Sequence, residues 1–258
     1  MTQTKDDGSS APGNEAGPLA DQTEDKDMKR VLLKLSGEAL AGDKKTGFDE
    51  ETVSGIAGQV KRLTQKGIEV AVVTGGGNFW RGRTSGNMDR TRADQIGMLA
   101  TVMNCIYVAD IFRSQGMKTA VMTPFVCGSF TRLFSRDEAV KELSEGTVVF
   151  FAGGIGHPYF STDTATLLRA IEIEADVILL AKAIDGVYDD DPKSNPDARK
   201  YSTVSIDEVI AKNLKVVDMT ASILARDNRM PMYVFGLNEE NSILRAAEGT
   251  IDGTSVTV

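Results

Sequence analysis

Cysteine and histidine are nearly missing from this chain: Cys105, Cys127 and His157 are all it holds in 258 residues. Two cysteines cannot build a disulfide framework, and both lie among apolar neighbours, so they read as reduced thiols in or near the core of a cytoplasmic protein. A single histidine excludes a histidine metal cluster. Long apolar runs are absent too. No stretch reads as the roughly 20 apolar residues of a membrane span, and the N-terminus lacks the basic-then-apolar order of a signal peptide. Positive charge is also in deficit, with 29 Lys and Arg against 37 Asp and Glu, a net charge of −8 and a pI near 4.9. That sign argues against a surface that neutralises DNA or RNA phosphates.

What is present is apolar substance, 41% of the residues, enough for the core of one large α/β domain. The charge is concentrated at the start. Residues 1–28 are rich in Gly, Ser, Pro, Asp and Glu with almost nothing to bury, so they read as a disordered acidic extension that cannot offset the entropy of ordering. The folded part is expected over residues 29–258.

From Lys29 onward, short β-branched runs alternate with helical patterns. Residues 30–35 read as a strand, and Val53, Ile56, Ala57, Val60 and Leu63 mark one face of a helix that Asp49 can cap and Gly67 can end. A second buried run at 68–74 completes a βαβ unit. The cycle repeats with a long helix over 88–115, a strand at 118–123, a helix ending at Gly146 and a strand at 147–152. A helix over 163–175, capped by Thr162, and a strand at 176–181 follow. The strand runs do not alternate, as expected when both faces are covered, so the sheet should be mainly parallel. After an irregular stretch at 183–200, Ser205 and Glu208 form a capping-box pattern, a further helix runs through Ile223, residues 232–235 supply a strand, and a last helix and short strand close the chain.

The loops that follow predicted strands carry the chemistry, because ligands of an open parallel sheet bind at the carboxyl ends of its strands. Lys34-Leu-Ser-Gly-Glu38 ends a strand in a lysine and turns on a glycine; the lysine either serves an anion or snorkels from an edge. Gly75-Gly-Gly-Asn-Phe-Trp-Arg81 offers close backbone approach to a phosphate and a guanidinium to clamp it, or is simply a flexible turn. It is not a dinucleotide fingerprint, and no P-loop pattern occurs. Gly153-Gly-Ile-Gly-His-Pro-Tyr-Phe-Ser-Thr-Asp163 runs into a helix start that would suit an anion, with Asp163 at its mouth either as site residue or as ordinary helix-start chemistry. The 183–192 loop presents Tyr188, on which an adenine would stack, and Asp191, which would accept from a ribose; a solvated acidic turn is the alternative.

Together with Gly97-Met-Leu-Ala-Thr-Val-Met-Asn104, Ile171-Glu-Ile-Glu-Ala-Asp176 and Asp185-Gly-Val-Tyr188, these segments resemble the bacterial uridylate kinases, from about Lys29 to Val258, with an actinobacterial flavour in Pro158-Tyr-Phe-Ser-Thr-Asp163. The resemblance implies the amino-acid-kinase fold, a three-layer α/β/α sandwich with a mainly parallel central sheet, and transfer of the γ-phosphoryl group of ATP, carried with Mg²⁺, to UMP. It implies ATP contacts from Lys34, Leu35, Ser36, Gly37, Gly77, Arg81, Lys182, Tyr188 and Asp191. UMP would be held by Gly76, Asp94, Ile155, Gly156, His157, Pro158, Tyr159, Phe160, Ser161 and Thr162. Lys34, Arg81 and Asp163 would be the catalytic set, the two cations neutralising phosphates and Asp163 orienting Lys34. It also implies a homohexamer and GTP or UTP effectors, although Ala109 and Ala120 stand where some members have effector-linked arginines, and Lys182 where some have a small hydroxyl residue. Neighbouring readings are a kinase of the same fold acting on a carboxylate or carbamate, and a nucleotide-binding protein without turnover.

Overall fold

The computed structural model describes residues 28–80 and 86–258. Nine strands form one sheet, in the order β4-β3-β5-β2-β1-β6-β10-β11-β9. The central strands are β1 (Arg30–Leu35), β2 (Glu69–Thr74), β5 (Val148–Phe151) and β6 (Val177–Lys182), all parallel. β3 (Thr119–Thr123), β4 (Arg132–Leu133) and β10 (Met232–Gly236) extend it in the same sense, while β11 (Thr254–Thr257) runs antiparallel against β10 and β9 (Thr203–Ser205) pairs parallel with β11, so that these two edge strands run opposite to the rest. A mainly parallel sheet was the expectation, and its central strands are buried along almost their whole length because helices cover both faces, while the edge strands β4 and β9 are largely exposed.

Side-chain alternation sorts each strand between two cores. Val31, Leu33 and Leu35 of β1 pack with α2 (Glu50–Gln65), α3 (Arg90–Ser114) and α8 (Ser242–Ala247). Leu32 faces the other way, with Ile178 and Leu180 of β6, toward α4 (Arg136–Ser144), α5 (Thr162–Glu172), α6 (Ile206–Ala211) and α7 (Met219–Asp227). The period of two therefore sends Lys34 and Lys182, each two residues beyond an apolar neighbour, to the α5 and α7 side. The chain leaves β1 and β2 toward the first face, and β5 and β6 toward the second. Loops therefore part at the β1/β6 and β2/β5 borders, the geometry that opens a crevice at carboxyl ends of strands.

Several local expectations change. Ser161, not Thr162, caps α5: its backbone is extended and its hydroxyl accepts from the amides of Asp163 and Thr164. That helix stops at Glu172, short of residue 175, with Glu174 in the left-handed region before the β6 strand begins. The stretch read as irregular holds a two-stranded ribbon, β7 (Val187–Tyr188) against β8 (Lys200–Tyr201). By length and composition α3 is apolar enough to cross a membrane, contrary to the sequence reading, but it carries the buried polar residues Thr101 and Asn104 and packs its Val102, Cys105, Val108 and Phe112 into the first core. Met28, assigned to the acidic extension, packs on that same core; the rest of that extension, residues 1–27, lies outside the described residues.

Candidate functional site

At the carboxyl edge of β1 and β2 two glycine-containing turns press together. A Cβ on Gly37 would lie 2.6 Å from the Gly77 nitrogen and 2.7 Å from the Asn78 side chain, so only glycine fits. Ser36 caps the short α1 (Gly37–Ala41) by accepting from the Ala39 amide at 3.1 Å. Leu35, named as an ATP contact, buries its side chain in the core and gives its carbonyl to the Gly75 amide. The second turn is held from behind by a reciprocal pair of buried carboxamides. Asn104 of α3 donates to Asn78 at 2.7 Å and receives from it at 3.0 Å, while also donating to the Gly75 carbonyl; Asn78 reaches the Gly47 carbonyl. Buried amides need all their partners, and this pair satisfies them by fixing the glycine turn. The sequence reading placed Asn104 inside a motif without a role; a polar residue on the buried face of a helix was the available signal.

Beside those turns stands the charge cluster. Lys34 meets Asp163 at 2.7 Å, with both side chains largely enclosed. Lys182, at the end of β6, donates to the carbonyls of Val216 and Lys215. Burial opposes ionisation of Asp163, yet the charge and hydrogen bond of Lys34, the charge of Lys182 and a hydrogen bond from the Asp218 main chain outweigh it, holding its carboxyl below the usual range. For Lys182 burial dominates: with Lys34 adding repulsion and Asp163 only partly compensating, its pKa falls to about 8. Two cations and one carboxylate leave a net positive spot in a low-dielectric setting, where an arriving phosphate oxygen is strongly stabilised.

Next to the cluster a cavity of about 160 Å³ opens between α3 and the β5–α5 loop, lined by Gly76, Trp80, Arg90, Asp94, Ile155, His157, Phe160, Ser161 and Thr162 among others. The structure thus brings together most of the residues expected to hold UMP. Gly156, Pro158 and Tyr159 are not among its walls; Tyr159, itself at positive φ, instead donates its amide to Asp94 at 2.8 Å, and Arg90 pairs with the same oxygen at 2.8 Å. Trp80 is anchored to α3 through a 2.8 Å bond to the Ala93 carbonyl. Thr101, which lies in the same segment as Asn104 and was likewise given no role, accepts from the Gly153 amide and ties the β5 loop to α3.

Tyr188 and Asp191 sit apart from the cluster, on and beyond the β7–β8 ribbon. The Tyr188 hydroxyl donates to Asp185, whose other oxygen pairs with Lys200 at 3.0 Å; Lys200 also pairs with Asp252 at 2.6 Å. Asp191 is exposed and accepts from the Lys193 amide within its own turn. Arg81 lies outside the described residues. Among the described residues no group of three or more His, Cys, Asp or Glu side chains is placed to hold a metal ion. A divalent ion carried on nucleotide phosphates needs no such group.

A parallel α/β/α sandwich with paired glycine turns and a lysine–aspartate cluster at one rim is the architecture of a phosphate-handling enzyme. The chain belongs to the amino acid kinase family, whose model matches residues 29–236. It is similar to the solved UMP kinase of Bacillus anthracis, at 36% identity and a TM-score of 0.86 over 90% of this chain and 97% of that one. The UMP kinase of Ureaplasma parvum matches at 33% identity and 0.85 over 90% and 99%.

Proposed function

We propose that this chain is an ATP:UMP phosphotransferase that makes UDP and ADP, a step of pyrimidine nucleotide synthesis. The observation that carries the reading is the Lys34–Asp163–Lys182 cluster standing between the paired glycine turns and the cavity beside Asp94. Two mutually repelling anions must be brought into line, and the transition state spreads charge over the equatorial oxygens of the moving group. Lys34, Lys182 and Arg81, with amides of the Ser36–Gly37 and Gly77 turns, neutralise the donor phosphates, while Asp163 aims Lys34. Tyr188 and Asp191 take the nucleoside end of ATP. UMP occupies the cavity, along Gly76, Asp94, Ile155, His157 and residues 160–162, with Gly156, Pro158 and Tyr159 shaping the loop behind them. Its phosphate has a second pKa of roughly 6 and is already largely ionised at neutral pH, so no general base is required. Mg²⁺ arriving on ATP shields the β- and γ-phosphates; the residues present suit an ion held in that way.

The catalytic domain in this reading spans residues 29–258 with Met28 packed on its core, and residues 1–27 are an appended segment. A homohexamer, with GTP or UTP as effectors, belongs to the same reading, supported by the exposed apolar residues Ile96, Leu99 and Met103 along one face of α3. A cytoplasmic setting suits the two free thiols, of which Cys105 is pushed up to about 11 by burial and stays protonated. The test is an ADP-release assay with UMP, CMP, AMP, GMP, aspartate, glutamate, acetylglutamate and carbamate as acceptors, with and without Mg²⁺. Turnover with UMP in Mg²⁺ is expected. Turnover with a carboxylate or carbamate alone, or nucleotide binding without turnover, overturns it.

A further inference from the structure

The half-buried carboxylate of Asp218 belongs to none of the loops that sequence reading singled out, yet it touches both halves of the site. It caps α7 by accepting from the Ala221 amide at 2.9 Å. It also accepts from the hydroxyl of Ser161 and from that of Thr164 at 3.1 Å, on the first turn of α5. Ser161 passes this hold on, since its oxygen accepts from the amides of Asp163 and Thr164. Two and three residues before Asp218, Val216 and Lys215 give their carbonyls to Lys182, and the Asp218 main chain is one of the influences that hold the Asp163 carboxyl low. One strap, residues 215–218, thus grips Lys182, Asp163 and the last residues of the acceptor loop.

A helix cap needs only one of these contacts. A carboxylate with two hydroxyl donors from another helix fixes that helix in rotation and in depth, which a cap alone does not require. Asp163 heads α5, so a small turn of the helix would move its oxygens relative to Lys34. Ser161 and Thr162 line the cavity, so the same turn would shift the acceptor against the donor.

We propose that Asp218 is a positioning residue for phosphoryl transfer: by holding Ser161 and Thr164 it sets the start of α5, and so places Asp163 and Lys34 against the acceptor loop. The proposal rests on the phosphotransferase reading above. Asp218→Asn separates the two roles, because asparagine caps a helix as well as aspartate but offers only one accepting oxygen. We expect kcat to fall about tenfold, with the KM for UMP changing less than about threefold, since misplacement acts mainly on the reacting geometry. Thr164→Val, nearly isosteric, removes a single partner and should lower kcat by about threefold.

The deciding measurement is a cycle with Lys34→Met. If Asp218 acts through Asp163 and Lys34, Asp218→Asn loses most of its effect on kcat in that background, to within about twofold. An equal fold loss in both backgrounds, or an unchanged kcat in Asp218→Asn, overturns the proposal. Should Asp218→Asn fail to fold, Thr164→Val carries the same cycle: a loss that shrinks in the Lys34→Met background supports the proposal, and an equal loss in both overturns it. Wild-type protein that turns over UMP while these variants are unaffected removes the proposal alone; wild-type protein with no transfer to UMP removes both it and the reading beneath it.

Discussion

Two hollows open at opposite edges of the sheet, and their sizes run against their chemistry. The one at the amino ends of β2, β3 and β5 is the larger, about 440 Å³ against about 160 Å³. It is ringed by Gly67, Gly116 and Gly146, where α2, α3 and α4 end. Helix C-termini present partial negative charge, which repels phosphate. The one lysine there with a resolved role, Lys61, spends its ammonium on the Gln115 carbonyl at 2.8 Å. The smaller hollow adjoins the start of α5, two lysines and the glycine turns. What separates a site from a space is therefore the sign and direction of the fixed charges around it, and volume does not report that.

The sharpest way to break this contrast is Lys34→Met. If fixed positive charge at the carboxyl edge is what drives transfer, kcat should fall by about 10² to 10³, the scale of removing one preorganised donor, in a steady-state assay with both substrates saturating. Turnover near the wild-type level would leave the charge cluster as structural furniture.

Lys182 gives the next effect, and it has a pH signature. Its pKa near 8 means the free enzyme loses this charge just above neutrality. kcat/KM for ATP should therefore decline through an alkaline limb near pH 8, and in kcat the limb should move upward because bound phosphates favour the ammonium. Lys182→Met should lower kcat by about tenfold at pH 7 and abolish the limb. The stability effect has the opposite sign. Between about 8 and the usual 10.5 the unfolded chain binds this proton while the folded one does not, so this group makes stability rise with pH in that window. A pH–rate profile unaltered by Lys182→Met would assign the limb to another group.

How much of this was readable from sequence follows from the range of the forces involved. β1, α2, β2 and the glycine turns were legible because their signals are local: β-branched runs, Asp49 before two glutamates, Gly67 after the helix. The pairing of Lys34 with Asp163 was expected through resemblance, and the period of two explains why the lysine faces α5. Asp218 and the Asn78–Asn104 pair were not legible as site residues. An Asp before a helix announces a cap, but nothing local says that its second oxygen faces another helix. The β7–β8 ribbon escaped because two-residue strands carry no periodicity. The cap of α5 was misplaced by one residue because Ser161 and Thr162 are both capping types, only modestly separated in preference, and the extended backbone of Ser161 with its bonds to the Asp163 and Thr164 amides decides between them.

Asp94 tests the acceptor side separately. Its carboxylate holds Arg90 and the Tyr159 amide, so Asp94→Asn should loosen the acceptor wall and raise the KM for UMP by about tenfold while leaving that for ATP within about twofold. Trp80, the only tryptophan, lines the same cavity, so its fluorescence should report UMP binding directly and show the same loss. Equal changes for both nucleotides would place Asp94 outside the acceptor pocket.

The smallest effect belongs to the other edge, and it is the one that makes the comparison fair. Lys118 lines the larger hollow with its side chain exposed, and its main-chain carbonyl, which accepts from the Val148 amide, survives truncation. Lys118→Ala removes positive charge from the protein just as Lys34→Met does, but at a rim where helix C-termini already set a negative field. If overall charge attracted the nucleotides, both substitutions would raise KM together. If only charge fixed at the carboxyl edge matters, Lys118→Ala should leave kcat and both KM values within about twofold at physiological salt, where screening over roughly 8 Å isolates the two edges from one another. A larger loss from Lys118→Ala would mean that the amino-edge hollow communicates with the reaction, and the contrast between the two edges would then need a different basis.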